Sequence, residues 1–496
     1  MDIVEGLLTK SAQLREAARL SDEGYDRQIR ANVTSLRHVM SRGSLSSNDS
    51  LFDHFDPGAD SLAYLFLLHA QIHALQEASC ETVPAGLLPP GRLWSRMVSY
   101  LKAFDPVQVR YAGQEWRQLV ELVGQAAQMA SKPILAVRLV RDAMLRLDPS
   151  CAVFTSTHLL LVQLCLRARA YAYALPVLNK FVCHFPTSTS HATSRSSVVP
   201  CATHDSSLSF ITEASGLSSN LTYKDYLRYF LYGGMVYSAL KKWCKAAHFF
   251  GVVISMPATG SISMIMVEAY KKWVLVGLLD KGKLCSHPSM IASNVVKIYQ
   301  SLAKPYVNLA QTFERGDRKA LEAEIDAARD IWCADNNMGL VSQVMNAYSK
   351  HTIIGVKKTF AALTVTAIAE QASPAHTSDE ATESIIASLI MSGAMEATLV
   401  QLPNRNSSTM LRFLATPSFR QLSRESRVQT RLMQERHSLE ALVDSLDESN
   451  RHMGLSDEFV DSIQKGQAWA RMSDVNPGMG EDAGLEIDED LMGEVS

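Results

Sequence analysis

Apolar side chains recur along most of this chain at the three- and four-residue intervals of an amphipathic helix, and the segment 223–282 shows the pattern most clearly. There Tyr226, Tyr229, Phe230, Met235, Tyr237 and Leu240 hold one face, while Lys224, Asp225, Arg228, Lys241 and Lys242 take the other positions. The pattern predicts a helix from 223 to 240, a second over 245–255 and a third over 262–279, with Pro257 and Gly260 marking the last break. Gly233 and Gly234 lie inside the first helix. Each costs about 1 kcal/mol there against alanine, so close approach of a neighbouring helix is expected.

The same periodicity predicts helices over 61–79, 92–104, 114–130, 133–147, 154–170 and 171–185, then over 291–303, 305–314, 318–333 and 338–351. Two helices separated at Gly24 are expected in 1–40, and a polar loop over 41–60. No fixed period emerges, so the reading is an irregular helical solenoid. Residues 186–220 are nearly half serine and threonine with little charge, which predicts a disordered insertion. Further on, one helix is expected over 353–369 and another opened by Thr377, Ser378, Asp379 and Glu380 and ended by Gly393. Two β-rich runs follow over 397–414, around a polar loop at 404–408. Helix, helix, hairpin is the order of a winged-helix module. In the charged segment 421–452, Leu432, Leu439 and Leu446 are spaced by seven, with Val428 and Leu442 at the alternating heptad position, which predicts a long helix with one apolar seam. The end, 473–496, carries eight acidic residues and no Lys or Arg and reads as a disordered acidic tail.

At 496 residues, with 47% hydrophobic and 20% charged content, the chain has ample core for about three packing units. A net charge of −3 gives no general attraction to polyanions. The eight cysteines are scattered and never form a C-x-x-C pair, which is reduced, intracellular usage. Residues 1–20 include Asp2 and Glu5 and no long apolar run, so no secretory signal is expected. The most apolar segment, 62–75, is too short to span a bilayer and is interrupted by His69, Gln71 and His73.

Candidate chemistry does not survive inspection. Gly277, Gly282 and Lys283 match phosphate-loop spacing, but Leu284 stands where a magnesium-binding Ser or Thr is required, so a helix C-terminus is the expected role. His69 and His73 have the spacing of zinc ligands, but Ala70 replaces the general-base glutamate and no third ligand can be named. Cys183 and His184, adjacent in sequence, cannot by themselves serve as nucleophile and base. The second helix of the winged-helix candidate carries Asp379, Glu380 and Glu383 and no Lys or Arg, so protein contact is favoured over DNA. No catalytic residue, metal ligand or cofactor site is expected.

Helical repeats, a terminal winged helix and a long final helix together resemble the PCI-domain proteins. The local match is narrower. Tyr229–Tyr237, Ala246–Phe250, Met256–Ala258, Glu268–Lys272, Asp335–Leu340 and 358–360 are similar to the third-subunit family of the COP-nine signalosome. The resemblance implies a mostly α fold: a right-handed helical-repeat solenoid of TPR or HEAT type, ending in a winged-helix PCI module and then a long C-terminal helix. The domains expected are repeats over 1–185, a linker over 186–222, PCI repeats over 223–350, a winged helix over 351–416, a bundle-forming helix over 417–470 and a tail over 471–496. It further implies a non-catalytic scaffold in the nucleus and cytoplasm, within the complex that removes Nedd8 from cullins of cullin-RING ligases. Its partners would be the other signalosome subunits, with the first and eighth meeting the winged helix edge to edge through Val400, Leu402, Leu411 and Phe413. Val428, Leu432, Leu439, Leu442 and Leu446 would enter a bundle of C-terminal helices. Two alternatives remain open: a non-ATPase PCI subunit of the proteasome lid, and a nucleic-acid-binding PCI protein of messenger-RNA export.

Overall fold

The computed structural model describes residues 9, 11–14, 22–41, 49–79, 82–186, 207–257, 262–357, 359–372, 379–401, 409–413 and 421–454. Helices dominate these residues, and one turn recurs between them. After the helices Gly113–Met129, Ser156–Arg167, Tyr223–Ala239 and Arg329–Ala334, a non-glycine residue takes left-handed backbone: Ser131, Arg169, Lys241 and Asn336, with φ between 52° and 55°. The N–H of the next residue then donates to a carbonyl five positions back, Lys132 to Ala127, Ala170 to Cys165, Lys242 to Tyr237 and Asn337 to Trp332, each at 2.9 Å. This is the Schellman arrangement, which satisfies the last carbonyls of a helix and reverses the chain in a few residues. Glycine is its usual occupant, because other residues lose about 1 kcal/mol or more in left-handed backbone.

The central stretch forms helices Tyr223–Ala239, Trp243–Ser255 and Met264–Lys281, close to the predicted bounds. Gly233 and Gly234 are where the second helix presses on the first. A Cβ at Gly233 would lie 2.7 Å from the Phe249 ring, and one at Gly234 would lie 2.5 Å from the ring of fully buried Phe250. Rings held this firmly cannot yield cheaply. Gly234→Ala is therefore expected to destabilise the chain by about 1–3 kcal/mol despite alanine's higher helix propensity. A urea unfolding curve with an unchanged or raised midpoint would contradict this.

Several expectations are corrected. Gly24 does not break a helix, since Asp22–Ser41 runs through it. The loop predicted over 41–60 contains the short turn Asp49–His54 and buries Phe52 and Phe55. The helix predicted over 171–185 shrinks to Tyr171–Ala174 and Leu175–Leu178, after which the chain extends and His184 bridges Val153. Residues 187–206 lie outside the described residues, but 207–219, also predicted to be disordered, form an ordered strap. Phe210, Ile211 and Leu217 of the strap are buried, and Arg117 donates to the Gly216 carbonyl at 3.1 Å. The apolar residues of this segment are few but contiguous enough to seat it, which its serine-rich composition obscures.

The helix predicted over 353–369 is likewise broken. Helix Met338–Val356 takes up its first four residues, Ala362–Thr364 forms strand β1, and a new helix spans Val365–Ala372. With helix Asp379–Met391 and strands β2 (Ala397–Val400) and β3 (Met410–Phe413), the order is helix, strand, helix, helix, strand, strand. The antiparallel sheet runs β1–β3–β2, pairing Leu363 with Leu411 and Leu399 with Leu411. Its inner face joins Ile353, Val356, Val365, Ile368, Ile386 and Leu389 in a hydrophobic core distinct from that of the repeats. The capping residues Thr377 and Ser378 and the acidic tail lie outside the described residues. Helix Gln421–Gly454 belongs, from Arg424 onward, to a second compact unit.

Candidate functional site

The motif pieces 268–272 and 335–340 are far apart in sequence and meet in one buried polar lock. Lys271 and Lys272 are neighbours on helix Met264–Lys281 and so leave it in different directions. Lys271 Nζ donates to both carboxylate oxygens of Asp335 at 2.8 Å, and the Tyr306 hydroxyl donates to Asp335 Oδ2 at 2.7 Å. Asn337 Nδ2 donates to the Tyr306 oxygen at 2.8 Å, while Lys272 Nζ donates to Asn337 Oδ1 at 2.6 Å and to Glu268. The lock joins helix Met264–Lys281, helix Lys304–Arg315 and the turn that starts helix Met338–Val356. Tyr306 and Asn337 are fully buried and Lys272 nearly so, and burial raises the Tyr306 hydroxyl pKa far out of reach of neutral pH. Each charge in the lock has a partner. Its chemistry is the fixing of geometry, holding the last repeats against the helix that leads into the sheet module.

Elsewhere the reactive candidates are accounted for structurally. Gly282 takes left-handed backbone (φ 67°) and caps helix Met264–Lys281, with its N–H donating to Leu278 O. His69 Nε2 bonds the Glu115 carbonyl at 2.7 Å, and burial lowers its pKa, whereas His73 Nδ1 lies 3.4 Å from exposed Glu77. Burial pushes the Cys151 and Cys165 thiols up to about 12, where no thiolate forms at neutral pH. Among the described residues, no group of three or more His, Cys, Asp and Glu side chains could hold a metal ion. No helix among them is long and apolar enough to cross a membrane.

His158 carries a pH-dependent contribution that sequence reading did not find. The Thr155 backbone N–H and the Thr155 hydroxyl both bond His158 Nδ1, at 3.2 and 2.8 Å, so the imidazole plays the part that glutamate plays in a capping box. Burial lowers its pKa to about 4, against the opposing pull of Asp148. An unfolded histidine titrates near pH 6.5, so as pH falls below that value the unfolded chain binds a proton that the folded chain refuses. Stability is full above pH 6.5 and falls as pH drops towards 4, by roughly 3 kcal/mol in all. His158→Gln keeps a capping acceptor without titrating. Urea midpoints of this variant are expected to lose less between pH 7 and 5 than those of the parent, and equal losses would remove His158 from the account.

The predicted contact residues separate into three sets. Leu411 and Phe413 are buried in the sheet module's core, and β3, the central strand, has both edges paired. Val400, on edge strand β2, is 43% exposed, and Leu402 lies outside the described residues. On the long helix Val428, Leu432, Leu439 and Leu446 are exposed and Leu442 is partly covered. Exposed Val443 widens this seam and exposed Met433 lies off it, since at about 3.6 residues per turn the other six positions fall within roughly 100° of arc. Glu435 interrupts the seam at the heptad position between Leu432 and Leu439, with Arg431 4.0 Å away.

The family described as COP9 signalosome complex subunit 3, N-terminal helical repeats, matches residues 26–296. COP9 signalosome complex subunit 3 of Emericella nidulans is 42% identical over 99% of this chain and 99% of its own length. The proteins of the same name from Neurospora crassa and Drosophila melanogaster are each 26% identical, covering 94% and 78% of this chain and 92% and 81% of their own lengths.

Proposed function

The chain belongs to the COP9 signalosome subunit 3 family, and from that premise we propose that it is a non-catalytic scaffold of the signalosome, the assembly that removes Nedd8 from the cullins of cullin-RING ligases. The observation that carries the proposal is the exposed apolar seam of helix Gln421–Gly454, with Leu439 61% exposed on a helix otherwise rich in charge. Leucines left in water forgo about 1.5–3 kcal/mol of burial each, so the seam is built for partner helices. The helix, strand, helix, helix, strand, strand order with sheet β1–β3–β2 supports a winged-helix PCI reading of the module before it. In that reading β2, not β3, offers the edge for the neighbouring winged helices, those of the first and eighth subunits. The lock at Lys271, Lys272, Asp335 and Asn337 keeps the repeats and the module in fixed relation. The scaffold works in the nucleus and cytoplasm.

The similarity of the relatives favours the signalosome over the proteasome lid. Affinity purification of the tagged full chain from its own cells, followed by mass spectrometry and a cullin deneddylation assay, tests the proposal. Recovery of the other signalosome subunits with deneddylating activity is expected. Recovery of proteasomal ATPases, or of nucleic acid with a steep salt dependence, would overturn it.

A further inference from the structure

Where the helices Gly113–Met129, Ile134–Leu147 and Ser156–Arg167 converge, a cavity of about 20 Å³ is left between buried side chains. Three of them bring a polar atom that finds no partner among the described residues: Trp116 Nε1, Asp148 Oδ2 and His158 Nε2. Ile211 and Leu217 of the strap close the cavity from outside.

The polarity of each atom is fixed by its surroundings. His158 Nδ1 receives the Thr155 backbone N–H, so the neutral ring carries its proton on Nε2 and donates there. The indole N–H of Trp116 can only donate. Asp148 Oδ1 is already taken by the Ser150 N–H at 3.0 Å and by the hydroxyls of Ser150 and Ser207, both at 2.7 Å, which leaves Oδ2 as an acceptor. The site therefore presents two donors and one acceptor. Two N–H donors disfavour a metal cation, and the carboxylate disfavours an anion. A neutral molecule that both accepts and donates suits all three, and the room available is that of one water, which needs about 10–15 Å³.

We propose that this cavity is a binding site for one structural water molecule, which accepts from Trp116 and His158 and donates to Asp148. Through it three successive helices share a single hydrogen-bond centre, and each of the three buried polar groups is satisfied. Because Ile211 and Leu217 form the outer wall, the water is retained only while the strap is seated, so the segment that follows 187–206 helps set the order of the N-terminal repeats.

The test is a density map of the full chain, alone or in its assembly, at a resolution that shows other buried waters. One isolated peak is expected within about 3.2 Å of Trp116 Nε1, Asp148 Oδ2 and His158 Nε2. No density at that point, or a peak with the short contacts of a metal, overturns the proposal. A second arm uses Asp148→Asn, in which the Ser150 N–H holds the amide oxygen and the amide nitrogen faces the cavity. Three donors then converge where a water can accept from two, so loss of the peak is expected with the backbone unmoved. A peak retained at the same three distances would contradict the assigned hydrogen bonds. If this variant does not fold, the parent map alone decides.

Discussion

Replacing Leu439 and Leu442 together by glutamate is expected to release the chain from its assembly while leaving the helical repeats folded. Burying two leucines against partner helices is worth about 3–6 kcal/mol, so at about 1.4 kcal/mol per tenfold the affinity should fall by roughly two to four orders of magnitude. The repeats should be untouched, because both positions lie in the second compact unit and Leu439 is already 61% exposed in the single chain. Met433→Glu is the control: Met433 is more exposed than Leu439 but sits off the seam. Size-exclusion co-elution should be lost for the double variant and kept for the control. Co-elution of both, or loss of both, would mean that the seam is not the recognition element.

The second large effect belongs to the polar lock. Asn337→Leu leaves the ammonium of buried Lys272 with Glu268 alone and takes the Asn337 donor from the Tyr306 hydroxyl. Taking a hydrogen-bond partner from buried groups that keep their counter-charge typically costs about 1–3 kcal/mol, more than an exposed ion pair is worth. The double variant Lys272→Met with Asn337→Leu should regain much of that loss, because the buried ammonium is gone and the Glu268 carboxylate it leaves behind is 30% exposed to water. Denaturant midpoints measured on the full chain distinguish these outcomes. A single variant as stable as the parent would show that the lock does not hold the repeats to the module.

How much of this was legible in the sequence depended on how local the cause was. Helical periodicity located Tyr223–Ala239 and Gln421–Gly454 closely, and the length of the apolar run located Ser61–Ser79, whose residues 61–68 are all buried. The glycine pair at 233 and 234 was read correctly as a close approach, since little else justifies two glycines inside a helix. The recurring left-handed turns were missed because Ser131, Arg169, Lys241 and Asn336 occupy positions where sequence signals look for glycine. Strand β1 was read as helix because its three residues become a strand only by pairing with Met410–Phe413, nearly fifty positions downstream. That same pairing turns Leu411 and Phe413 from contact candidates into core. The lock was invisible for a related reason: Lys272 and Asn337 look like ordinary surface residues until the fold brings them together, although both lie in the motifs that carry the family resemblance.

The central claim is that the seam of the long helix is covered by partner helices. Hydrogen exchange across residues 428–446, compared between the isolated chain and the intact assembly, tests it most directly. Exchange there is expected to slow by at least about a hundredfold on assembly, while helices Tyr223–Ala239 and Met264–Lys281 change little. Equal exchange at 428–446 in the two states would contradict the account.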